Sequence, residues 1–180
     1  MLSRKSFNAL VAACVMSLGF SSASAQTVAN GPYYATPSWD QTLPVATRFI
    51  VLSNMNSAAV LDRETGLVWE QSPLGLLNSW GGAHLRCNTK TLGGRLGWRL
   101  PGLQELASLI DPAVAVPGPT LPAGHPFSNV QPAYWTATST YFDPDQAYAV
   151  SFFLGGRITQ LKSTGISVWC VRGGQGIEAQ

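Results

Sequence analysis

The sequence predicts an α+β domain in which two helices pack on a small twisted antiparallel sheet beside a long loop region. Three observations carry this. Behind Pro101, whose fixed φ suits a first helical turn, Leu103, Leu106, Leu109 and Ile110 recur at helical spacing and give one apolar face. A second helix runs from Trp80 to about Asn88, with Asn78 or Ser79 able to cap it. On both sides of this pair lie short β-branched and aromatic runs set apart by Gly, Pro, Asn and Ser.

In chain order, residues 1–25 read as a secretory leader: Arg4 and Lys5 are the basic start, an apolar run follows, and Ala23-Ser24-Ala25 is the cleavage site. Val11-Ala12-Ala13-Cys14 offers a rival lipidation signal at Cys14, but the apolar run continues past it, which favours cleavage after Ala25. Taking Arg4 and Lys5 from the 11 basic residues leaves 9 against 9 acidic ones. A neutral chain gives nucleic-acid binding no electrostatic support. The setting is then secreted or periplasmic, and with Cys14 in the leader the remaining Cys87 and Cys170 form an even pair in an oxidising compartment, so they are expected to be bridged.

Residues 26–47 are rich in Pro, Ser and Thr, yet Tyr33, Tyr34 and Trp39 imply that part of the segment packs on the domain, which spans 48–174 before a tail at 175–180. Strands are expected at 48–52 and 58–61, then a turn through Asp62-Arg63-Glu64-Thr65-Gly66, then a strand at Leu67–Glu70. In the first helix Gly81 and Gly82 each cost about 1 kcal/mol relative to alanine, a sign of close packing. Trp80, Ala83 and Cys87 share its inward face. Gly93, Gly94 and Gly97 break the chain before Trp98, and the second helix, from Leu103 to about Ile110, stops ahead of Asp111-Pro112. A Pro-punctuated loop fills 111–133. Strands at 134–138, 148–154, 157–161 and 167–172 follow, with Gly155-Gly156 as a hairpin signal, and form an antiparallel meander. No segment after the leader is long and apolar enough to span a membrane.

Five landmarks occur in a fixed order: D-x-x-T-G-L-x-W at 62–69, Trp80 with Cys87, W-R-L-P-x-x-x-E-L at 98–106, Tyr134-Trp135-Thr136-Ala137-Thr138, and V-x-C-V-R at 168–172. Together they resemble the Lcl C-terminal domain family, named for a bacterial collagen-like adhesin, over about residues 48–174. The resemblance implies a C-type-lectin-like fold with a disulfide from the first helix to the last strand. It also implies surface or glycan attachment, the adhesin favouring sulfated polysaccharides. Two departures stand out. Gly102 replaces the usual Thr or Ser, so the second helix keeps Glu105 but lacks a side-chain cap, and no collagen-like repeat precedes the domain.

Catalysis finds little footing, because His84 and His125 have no motif-defined nucleophile or second ligand beside them, and neither a cofactor nor a metal is expected. Calcium-dependent sugar binding lacks its acids: Gln131-Pro132-Ala133 and Val168-Trp169-Cys170 carry none, and Asp143-Pro144-Asp145 reads as an exposed turn. Charge is distributed unevenly, however. No acidic residue lies between Glu70 and Glu105, while Arg86, Lys90, Arg95 and Arg99 fall there beside His84. Arg86, Lys90 and Arg95 are the candidate contacts for sulfate or carboxylate groups, against the plainer reading of a solvated helix face with Arg99 buried under the W-R-L-P turn. Tyr141 and Phe142 are candidate stacking residues, whereas Trp69, Trp80, Trp98, Trp135 and Trp169 belong to the core. Trp98, Arg99, Pro101 and Glu105 are structural, Arg99 and Glu105 tying helix to loops. The expected function is a non-enzymatic extracytoplasmic recognition module for anionic polysaccharide; the alternative is a structural or protein-binding subunit of a bacterial envelope assembly, with the exposed loops at 111–145 contacting protein.

Overall fold

This computed structural model describes residues 42–174; the leader, Cys14, Tyr33, Tyr34, Trp39 and the tail lie outside the described residues. One helical turn, α1 (Val45–Arg48), leads into β1 (Phe49–Val51), so the first strand is a residue shorter at each end than the pattern suggests. A 3-10 turn at Ser53–Met55 precedes β2 (Ala59–Asp62), and the Asp62 to Gly66 turn, closed by Gly66 N–H on the Asp62 carbonyl, leads to β3 (Leu67–Glu70). Then come α2 (Trp80–Asn88), β4 (Trp98–Arg99), α3 (Leu103–Ala107), β5 (Ala133–Ser139), β6 (Gln146–Ser151), β7 (Gly156–Leu161) and β8 (Val171–Arg172). Ser79 caps α2, its Oγ accepting the Gly82 N–H at 3.3 Å.

Two antiparallel sheets result, one of order β1-β2-β3-β8-β4 and one of order β5-β6-β7. Cross-strand partners lie on the same face, so the pairs Leu61↔Val68, Val68↔Arg172 and Trp98↔Arg172 set a row across four adjacent strands. The opposite face carries Phe49, Val60, Leu67, Trp69 and Val171, which join Tyr134, Val150, Phe152, Trp169 and the leucines of α3 in one core cluster. A second cluster brings Ala83 and Cys87 of α2 against Met55, Trp98, Trp135, Ala147, Ala149 and Cys170. Cys87 and Cys170 are bridged there, which fastens α2 to the segment entering β8.

The elements depart from the sequence pattern where the long loop competes for backbone groups. After Ala107 the second helix tightens into i→i−3 bonds, Leu109 N–H to Leu106 and Ile110 N–H to Ala107, and Asp111 N–H turns away to Thr120. It therefore stops short of Ile110. β6 likewise ends at Ser151, not Leu154, because the Phe152 and Phe153 carbonyls accept the N–H groups of Thr120 and Gly118. At Gly118 a Cβ would lie 1.8 Å from the Phe152 oxygen, so only glycine permits this approach. The last expected strand pairs only at its end: β8 leaves the meander and inserts between β3 and β4, while residues 167–170 cross from one sheet to the other through the Tyr134↔Ser167 bridge. The whole is the mixed α+β arrangement of a C-type-lectin-like fold.

Candidate functional site

Among the described residues, most cations are already occupied. Arg48 grips the fully buried Asp62 through Nε and a terminal nitrogen at 3.0 and 2.9 Å, reaches Glu64 at 2.9 Å and donates to the Ser108 carbonyl. Arg99 holds Glu105 with two bonds of 2.7 and 2.6 Å and donates to the Gly173 carbonyl, which makes it the expected tie between helix and loops. Lys90 turns inward onto Glu70, and its side chain is only 13% exposed. The shared outward face expected for Arg86 and Lys90 is thus not formed: α2 ends at Asn88, and the buried carboxylate draws the ammonium inside. Lys162 lies over the Trp80 ring and Arg157 over Tyr148.

Four arginines are left with no carboxylate within ion-pair distance among the described residues and no ring beneath them: Arg63, which donates to the Thr47 carbonyl, and Arg86, Arg95 and Arg172. Arg86 is half-buried near the end of α2. Arg95 and Arg172 line one cleft of about 240 Å³. Its floor is the Leu61, Val68 and Arg172 part of the row across β2, β3 and β8, and Leu52 and Met55 beside the 3-10 turn form an apolar wall. Opposite stands the turn closed by reciprocal Leu92 and Arg95 backbone bonds, whose Arg95 carbonyl also accepts the Trp98 indole N–H. Gly93 fits this turn against the 3-10 turn, since a Cβ there would lie 2.5 Å from that of Met55. Arg172 Nε donates to the Leu96 carbonyl at 2.8 Å, fixing the guanidinium while its terminal nitrogens make no bond within the described residues. Arg172 was read in the sequence only as the end of a fold motif. Its position as the final letter of V-x-C-V-R, beside a glycine pair, was the one available signal.

Tyr141 and Phe142 project elsewhere, from the tip between β5 and β6, each 91% exposed and nearly perpendicular to the other. The tip is built by Asp143, whose carboxylate accepts the Asp145 N–H at 3.0 Å and the Gln146 amide at 2.7 Å. That carboxylate holds its own turn. Among the described residues no group of three or more His, Cys, Asp or Glu gathers to hold a metal ion. His125 packs on Phe127 and its Nδ1 accepts that residue's N–H, while burial lowers its pKa. Burial also pushes the Tyr134 hydroxyl far above the phenol range, opposed by the Gln131 N–H and reinforced by the nearby Glu70 charge. Of the tryptophans, Trp69, Trp98, Trp135 and Trp169 are in the core, whereas Trp80 is half-buried.

The Lcl C-terminal domain model matches residues 58–172, from the strand before the D-x-x-T-G turn to the arginine in the cleft. The chain belongs to the Lcl C-terminal domain family. This is a bacterial extracellular domain family and not a known catalytic one. No curated protein matches the chain. The Lcl C-terminal landmarks serve the fold: Asp62 anchors Arg48, Cys87 and Cys170 form the bridge, and Arg99 pairs with Glu105. The bridge places the domain in an oxidising, extracytoplasmic setting, and no helix among the described residues is long and apolar enough to cross a membrane.

Proposed function

We propose that this domain is a non-enzymatic recognition module for anionic polysaccharide outside the cytoplasm. The observation that carries the reading is the sorting of charge. Arg48, Lys90 and Arg99 are paired with carboxylates inside the fold and Arg63 donates to the Thr47 carbonyl, while Arg86, Arg95 and Arg172 keep their charge for an outside anion. Guanidinium groups suit this task because their planar forks meet carboxylate and sulfate oxygens two at a time. Retention of the mature domain on immobilised heparin and on neutral dextran tests it. Retention on heparin alone, falling with added salt and weakened in Arg86→Gln/Arg95→Gln, is expected. Equal retention on dextran, or none on heparin at low salt, refutes it. The second reading, a protein-binding subunit, draws on the exposed Tyr141 and Phe142 pair, which sits beside Asp143 and Asp145 and is suited to an apolar protein pocket.

A further inference from the structure

The geometry points to the Arg95 and Arg172 cleft as a site for a single acidic sugar residue, whose carboxylate or sulfate ester is clamped by the two guanidinium groups while one ring face lies on Val68, Leu52 and Met55. This rests on the reading of the domain as a binder of anionic polysaccharide and says which unit is recognised. A diffuse basic surface and a built site differ in three ways, and the cleft has the marks of the second.

One cation is held in advance and the other is carried on a fixed turn. Arg172 is fixed on β8 between Val68 and Trp98 and tied through Nε to Leu96, so its guanidinium loses little freedom when an anion arrives, and the Leu92 turn fixes the backbone that carries Arg95 to the cleft. The apolar surface of the cleft comes from the half-buried Leu52 and Val68, backed by the buried Leu61 and Met55. A free, fully hydrated inorganic ion leaves that surface uncovered. A pyranose presents a C–H face to it and its charged substituent to the arginines. The volume of about 240 Å³ falls below the roughly 300 to 1,000 Å³ of sites that take drug-sized ligands, which matches one ring and not an oligosaccharide. The Asn54 side chain and the backbone of Gly66 and Gly173 at the rim supply polar groups for hydroxyls.

Isothermal titration of the folded domain with methyl glucuronide, glucose 6-sulfate and methyl glucoside tests the site, the first two separating carboxylate from sulfate and the third removing the charge. Binding of at least one acidic sugar and not of methyl glucoside is expected, weakened about tenfold or more by Arg95→Gln, which leaves a charge-assisted pair half-formed. Arg172→Gln should act likewise. Because Arg172 also braces Leu96, the exposed Arg95 variant is the decisive one, with circular dichroism confirming its fold, and Arg157→Gln on the other sheet should change nothing. The bound acidic sugar should also displace the domain from heparin. Heparin binding that falls with salt but is indifferent to Arg95→Gln and to millimolar acidic monosaccharide overturns the cleft and leaves the polysaccharide reading intact. Loss of heparin binding altogether removes both.

Discussion

The polar groups of Glu70 tie two parts of the chain to β3, the turn after α2 and the segment entering β8. Oε1 takes Lys90 from the turn after α2, Oε2 accepts the Cys170 N–H at 2.7 Å, and the backbone carbonyl accepts the Trp169 indole N–H at 2.9 Å. With its side chain 4% exposed, a Glu70 left unpaired is a buried charge in a low-dielectric site. Breaking such a pair by removing one partner costs about 3 to 5 kcal/mol, whereas replacing both partners with apolar groups is often close to neutral. Lys90→Met should therefore lower the unfolding free energy measured in urea by about 3 kcal/mol or more, and Glu70→Met/Lys90→Met should recover part of it. A Lys90→Met protein as stable as the parent contradicts this account. The pair was not legible from sequence, because Glu70 ends a strand and Lys90 follows a helix, 20 residues on, and no local periodicity links them. What the sequence offered was a stretch without acids, and that pointed Lys90 outward.

At the N-terminus of α3 the missing cap is supplied from another element. Gly102 brings no side chain, but the Thr138 hydroxyl of β5 accepts the Leu103 N–H at 3.0 Å and Glu105 Oε2 accepts the Gly102 N–H at 2.8 Å. A capping oxygen contributes about 1 kcal/mol whether it is local or not. Thr138→Val keeps the shape and removes the oxygen, so a loss of about 1 kcal/mol in thermal or urea unfolding is expected, with Gly102→Ser partly restoring it. No change in either variant means that water caps the helix. The interior of each element was legible: Leu67–Glu70 and Trp80–Asn88 fall where alternation and helical spacing with Ser79 place them. The ends were not. α3 and β6 stop early and β8 starts late because loop groups at Gly118, Thr120 and Asp111 and the Glu70 side chain claim their backbone partners. Such competition is tertiary and leaves no local pattern.

Across the whole molecule, the bridge and the cleft meet at β8. Cys170 is two residues before Arg172, and the row from Leu61 through Val68 to Arg172 depends on β8 entering between β3 and β4 in register. The Cys87–Cys170 link spans 83 residues, so in the chain-entropy model it stabilises the fold by up to about 4 to 5 kcal/mol. Cys87→Ala/Cys170→Ala should then lower Tm by about 10 to 15 °C for a domain of this size. Lys90→Met in that background should cost less than it does alone, because Glu70, Lys90 and the bridge fasten the same junction of α2 with β8, and coupled sites are not additive. The same looseness reaches the surface. If β8 carries Arg172 to the cleft, the bridge-free protein, held well below its Tm, should bind acidic sugar more weakly than the parent, while Thr138→Val, beside the start of α3 and not among the cleft's lining residues, should bind as well as the parent. Equal affinity in the bridge-free and parent proteins assigns the bridge to stability alone and makes the strand register independent of it.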